Sequence, residues 1–226
     1  MNKTTLSLLS AAVIQCIALP ALSFDGGDLV LRAGLTSVQP DGGSENVMVP
    51  DLGGDTGMKV EVGDNTQLGL NVAYFYSPSW AIELLAATPF QHDIELKNSA
   101  LGLGDGDLAE VNHLPPTISA LYYPMSNDST FQPYVGVGLN YTVFFDEEFT
   151  SNRKDQGFSN LSLDSSFGFA LQIGADLMLN EAWLINASIR YIDIGTTAEF
   201  DVGASKGSVD VDIDPMVYSL TAGYKF

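Results

Sequence analysis

Eight stretches of this chain alternate apolar with polar or small residues at a period of two. No stretch beyond residue 23 is apolar over the roughly 20 residues that a membrane-crossing helix takes. The first stretch sets Leu29, Leu31, Ala33 and Leu35 against Val30, Arg32, Gly34 and Thr36. The others run over 67–76, 80–90, 116–123, 134–143, 166–177, 183–191 and 217–226. Successive side chains on a strand point to opposite faces, so each stretch reads as a strand with one nearly charge-free oily face. The second face mixes glycine, hydroxyls and amides with a few charges. A soluble barrel would turn its oily face inward, away from water. Here the oily face must look outward, to lipid, and only a closed barrel leaves no unpaired strand edge there. The expected fold is all-β, an eight-stranded antiparallel transmembrane β-barrel of the outer-membrane type.

The connections support that reading. Residues 77–79, 124–130 and 179–181 make short turns, while 41–65, 91–115, 146–161 and 195–208 make long, acidic loops. Short turns on one side and long loops on the other are the outer-membrane arrangement, with the turns facing the periplasm. Tyr76, Trp80, Phe90, Tyr122, Trp183, Tyr224 and Phe226 stand near the ends of the oily faces, as an interfacial girdle requires. The sequence closes on LTAGYKF, where Tyr224 and Phe226 share the lipid phase. A terminal aromatic of this kind is expected to serve as an assembly signal for the outer-membrane assembly machinery.

Residues 1–23 combine Lys3, a short apolar run and the small-residue site Ala21-Leu22-Ser23, the pattern of a cleaved export signal. The remainder, 24–226, is then the barrel. The one cysteine, Cys16, is lost with the signal, so no disulfide is expected. Lys and Arg number 9 against 28 Asp and Glu, a net charge of -19, which excludes nucleic acid as a partner. Outer-membrane lipid and lipopolysaccharide are the expected surroundings, the acidic loops meeting divalent cations that bridge lipopolysaccharide phosphates.

NTQLGL (65–70), ELLAATPF (83–90), HLPPT (113–117), PYVGVGLNYTVFF (133–145), YIDIGTTA (191–198) and the closing AGYKF (222–226) resemble the OmpW/AlkL family, in order along the mature chain. The resemblance implies an outer-membrane barrel through which small hydrophobic molecules pass, leaving sideways through the wall into the membrane. It also implies that Leu85 is a bulky apolar constriction residue. Arg190 stands where a second apolar constriction residue would be expected. That substitution gives the constriction an oily and a cationic side, and with it a preference for amphipathic or anionic solutes.

The residues themselves add further expectations. Pro89 ends the third strand, and Pro115 and Pro116 open the fourth. Each removes a ladder donor, leaving either a weak lateral seam or two plainly terminated strands. Arg32 and Glu83 face inward at similar heights and can pair, whereas Arg190 sits higher with no inward carboxylate at its level. A loop acid, water or a ligand should therefore reach it. His92 and His113 are expected at the rim of the second loop without a nucleophile, so catalysis is disfavoured. Asp105, Asp107 and Glu110 in GDGDLAE carry too little of a calcium loop to be ligands, and no metal or cofactor is called for. Two readings stay open, a narrow conduit for small hydrophobic solutes and a structural or receptor-like barrel with a plugged lumen.

Overall fold

The alternating stretches pair into one ring. In the computed structural model, which describes residues 24–99, 102–125 and 129–226, the barrel strands are β1 (Leu29–Gln39), β2 (Asn65–Ser77), β3 (Trp80–Ala87), β4 (Thr117–Tyr122), β5 (Phe131–Phe149), β6 (Ser166–Met178), β7 (Trp183–Ile192) and β8 (Met216–Lys225). Each is antiparallel to its neighbours in chain order, and β8 returns to β1 over the register Val30↔Lys225 to Gln39↔Met216. The ring is closed, each barrel strand pairing with a neighbour on both sides. The closing seam is tight as well. A Cβ placed on Gly34 would come within 2.3 Å of the Leu220 carbonyl oxygen, so this position of β1 requires glycine. The expected export signal, residues 1–23, and Cys16 within it lie outside the described residues.

The outward phase of every barrel strand is apolar and bare. Leu35, Val137, Phe167 and Leu220 are 60–70% exposed, and the whole band around them is oily. An apolar belt of that extent belongs against acyl chains rather than water. At its short-turn end the girdle forms aromatic pairs, Trp80 with Tyr122 at 4.9 Å and Trp183 with Tyr224 at 5.0 Å between ring centroids. Phe226 continues the second pair, 4.7 Å from Tyr224, and its backbone N–H donates to the Leu29 carbonyl at 2.8 Å.

Phe90 departs from the girdle. It is buried inside the molecule, because the inward phase carried by Ala81, Glu83 and Leu85 slips by one residue across Thr88-Pro89. A one-residue slip moves every later side chain to the opposite face.

The four long loops also differ from expectation, since they carry strands of their own. Phe90–Lys97 and Gly106–Leu114 form a hairpin that pairs with the upper part of β5, from Val143 to Phe149, and with Lys59–Val62. Gly195–Val202 and Ser205–Asp212 form a second hairpin, flanked by Phe158–Leu163 and by short pieces of the first loop. A helix, Ser151–Asp155, caps the third loop. The barrel wall thus rises well beyond the lipid band. In this extension the outward phase carries Gln91, Asp93, Glu199, Asp210 and Asp212, while Leu96, Val111, Phe200, Val209 and Val211 point in. Acidic outward residues suit water, and they make these strands read as loops by composition.

Candidate binding cavity and its floor

The inward phase of the barrel strands builds a floor near the short turns. Phe24 stacks on Phe75 at 4.1 Å between centroids, and Tyr123 packs against both and against Tyr134. Above these rings lies a buried polar cluster. Arg32 reaches both oxygens of Asp176, from Nε at 3.1 Å and from Nη2 at 2.7 Å, and donates from Nη1 to Glu83 Oε2 at 3.1 Å. Asp176 also accepts from the Tyr123 hydroxyl at 3.0 Å and from Asn186 Nδ2 at 2.8 Å. Space for these large side chains comes from facing glycines. A Cβ on Gly223 would lie 3.2 Å from Arg32 Cγ, and one on Gly174 would lie 2.5 Å from the Tyr134 ring.

Arg190 belongs to the same cluster, which corrects the expectation of an unpaired guanidinium. Its Nη2 donates to Glu83 Oε1 at 2.6 Å and also bonds Gln172. The sequence places Arg190 too high for this contact, but the side chain spans the difference. Its cross-strand partner on β8 is Val217, which belongs to the apolar packing above. Arg190 is therefore the top of the polar floor. Two guanidiniums face two carboxylates, and Arg32, Glu83 and Asp176 are 0% exposed. Balanced in this way the charges are tolerable, whereas any one left without its partner would be costly. Leu85, on the inward phase of β3, is also buried. Sequence reasoning singles out Arg32, Glu83 and Arg190 but misses Asp176. That residue falls on the inward phase of β6, the one signal that points to it.

Above the floor the interior changes character. The extension encloses a cavity whose wall is apolar except for His92, His113 and Thr196. Met58, Leu108, Phe144, Phe158 and Phe200, from all four former loops and β5, form its sides. The two histidines are not on a rim. Both are buried, with ring centroids 4.9 Å apart, and His113 stacks further on Phe90 at 5.5 Å. The His92 ring bonds the Gly63 carbonyl through Nδ1. Burial lowers the His92 pKa, against the raising effects of that bond and of Asp64 and Asp93. His113 is pulled down to about 3 by burial, with His92 adding to the effect. Both rings are neutral at pH 7.

The wall beside these rings is interrupted. Pairing of β3 with β4 runs from Trp80↔Tyr122 to Leu85↔Thr117 and resumes as Phe90↔His113 in the extension. Between those points the two edges bond away from each other. The Thr88 N–H goes to Leu68 on one side, and the Pro116 carbonyl accepts from Tyr141 N–H on the other. Pro89, Pro115 and Pro116 all lie within this interval and bring no N–H to close it.

Residues 25–226 match the sequence model of the OmpW family. The chain belongs to the OmpW family. Outer membrane protein W of Vibrio cholerae is 42% identical over the full length of both chains. Outer membrane protein AlkL of Ectopseudomonas oleovorans is 29% identical, over 74% of this chain and 69% of AlkL. Among solved structures, the crystal structure of OprG from Pseudomonas aeruginosa superposes with a TM-score of 0.85 at 45% identity, covering 91% of this chain and 98% of OprG. This OmpW-family chain is accordingly an outer-membrane barrel.

The acidic GDGDLAE stretch of this OmpW-family barrel is occupied by an internal cation. The buried Arg153 guanidinium, from the Ser151–Asp155 helix, donates to the carbonyls of Leu103 at 2.9 Å, Gly104 at 2.9 Å and Asp107 at 3.0 Å. These bonds tie the second loop to the third, beside the cavity wall. Asp105 itself accepts from the Ser99 N–H at 2.6 Å.

Glu83 is the carboxylate shared by both buried arginines, and it also accepts from Asn71 and Gln172. Glu83→Ala should destabilise the folded barrel by about 3–5 kcal/mol, as expected when one partner of a buried ion pair is removed. Urea unfolding in lipid bilayers reads this directly. A loss below about 1 kcal/mol, the range of exposed pairs, would mean that the guanidiniums are satisfied without it.

Proposed function

We propose that this barrel takes small apolar and amphipathic molecules from outside into the cavity of its extension and releases them sideways, between β3 and β4, into the outer membrane. The observation that carries the reading is the sequence of environments along the axis. An oily cavity stands directly over a floor of buried aromatic and charged side chains, and the adjoining wall lacks cross-strand pairing beside Pro89, Pro115 and Pro116. A guest that reaches the cavity meets charge below and lipid at the side. Moving an apolar molecule into the charged floor would displace desolvated ion pairs, whereas lipid offers it a matching solvent.

The anionic preference expected from Arg190 loses its premise, since Glu83 and Gln172 already hold that guanidinium. Leu85 remains a candidate for the lower end of the path by its inward, buried position on β3. Among the described residues His92 has one hydrogen-bond partner, a backbone carbonyl, and no carboxylate orients it, so conduction is favoured over catalysis. The floor equally favours a second reading, a structural or receptor-like barrel with a closed lumen. The two differ in whether anything crosses the seam.

Replacing Pro89 and Pro116 together by alanine restores two possible donors to the interval. Transfer of a long-chain alkane into cells carrying the variant should then slow severalfold relative to cells with the native protein. Equal transfer by the two, at equal surface levels, would leave the prolines as strand terminators and favour the closed barrel.

We also propose that Tyr224 and Phe226 present the end of β8 to the assembly machinery. Their rings form an exposed aromatic corner where β8 meets β1. Deleting Phe226 is expected to lower the heat-modifiable, folded fraction in outer membranes. An unchanged fraction would remove this role.

A further inference from the structure

We infer that His92 gives the cavity a hydrogen-bond acceptor for the head of its guest, Nε2 taking the O–H or N–H of an otherwise apolar molecule such as an alcohol, a phenol or an indole. The inference rests on the reading of the cavity as a binding site for small apolar and amphipathic molecules, and it names a class within them.

The backbone fixes the tautomer. A carbonyl oxygen can only accept, so the bond between His92 Nδ1 and the Gly63 carbonyl places the ring proton on Nδ1. Gly63 is itself held to the same strand, its N–H donating to the Asp93 carbonyl at 2.9 Å, so the acceptor that orients the ring does not wander. Nε2 is then a bare lone pair. His92 is 3% exposed, and Nε2 is buried with no hydrogen-bond partner among the described residues. The ring belongs to the wall of the cavity, alongside apolar side chains that offer Nε2 no donor and that the head of a guest must part to reach it. A buried acceptor without a donor is unfavourable, and few such groups persist in native proteins without a use.

The chemistry of the head follows. Burial keeps the ring neutral, so it offers no cationic charge to a carboxylate, and an ionised acid brings no proton to share. A hydroxyl or ring N–H brings the missing donor and little charge. Phe90, His113 and His92 stack in a run with interplanar angles of 23° and 25°, which holds the His92 ring in place. An alkane could fill the same space but would leave Nε2 unpaired. The site therefore favours a guest that brings a donor.

Phenol and anisole make a matched test, because methylation removes the donor and keeps the ring. The full chain in lipid nanodiscs, with nitrogen-15 histidine, has two imidazoles to observe. Phenol should shift the His92 Nε2 resonance in the direction of an accepted hydrogen bond and should bind about tenfold more tightly than anisole, the scale of one buried hydrogen bond gained. Anisole should leave that resonance near its free position. In His92→Phe the preference should fall to about twofold or less, with anisole binding retained. Equal binding of the two molecules with no movement of Nε2 would overturn the inference while leaving the cavity a binding site. Binding of neither would overturn the reading of the cavity as well. The resonance in the native protein decides the matter even if the variant folds poorly.

Discussion

The interior of this barrel depends on a shared carboxylate. Glu83 takes one oxygen to Arg32 and the other to Arg190, and Arg32 in turn forks onto Asp176. Four formal charges thereby cancel inside a ring that has lipid on its outside. Each of those groups, alone, would be intolerable at that depth. Together they tie β1, β3, β6 and β7 across the lumen, which backbone pairing alone cannot do, since it links only neighbours. The aromatic stack of Phe24, Phe75 and Tyr123 beneath them gives the cluster a dry seat. With the floor fixed, the space above it can be left open.

That space owes its character to an inversion of polarity along the barrel axis. Within the lipid band the wall is oily outside and polar inside. In the extension it is acidic outside and oily inside. On the β3–β4 arm the change falls at Pro89 and Pro115, where the strands drop their cross-pairing, and on the β3 side the inward phase also slips by one residue. A single structural break thus has three effects. It turns Phe90 inward, it brings His92 into the cavity wall beside His113, and it leaves the wall unpaired beside them. An apolar molecule in that cavity has an oily surface around it and, on the proposed route, the unpaired wall beside it.

Much of this is legible in the sequence, because the lipid-facing alternation is nearly pure. Leu29 to Leu35, or Val135 to Val143, can be assigned an outward face without any structure, and the ring follows from closing eight such strands. The extension strands are harder, since period two survives there only on the buried side, while Asp93, Asp210 and Asp212 make the other side look like loop. Phe90 is misplaced for a related reason. Alternation is read by counting, and a slip at Thr88-Pro89 is invisible until pairing is known. The floor is half legible. Inward charges on β1, β3 and β7 stand out, but which of them meet depends on strand stagger and on how far an arginine can reach, so Arg190 looks stranded when Glu83 is within its grasp. His92 shows no sign in sequence of its neutral, fixed tautomer, because the carbonyl that sets it lies 29 residues away, in another loop.

The central claim is that a guest in the cavity faces a closed floor and an open side. An apolar probe bearing a photoreactive diazirine, supplied from outside to barrels in native outer membranes, would report its own path by the peptides it labels. Labelling is expected on the cavity wall and at the seam, around Thr88 to His92 and Val111 to Pro116, with Phe24 and Phe75 spared. Labelling of Phe24 or Phe75 at comparable yield, with the seam unmarked, would mean that guests travel straight down the axis and would contradict it.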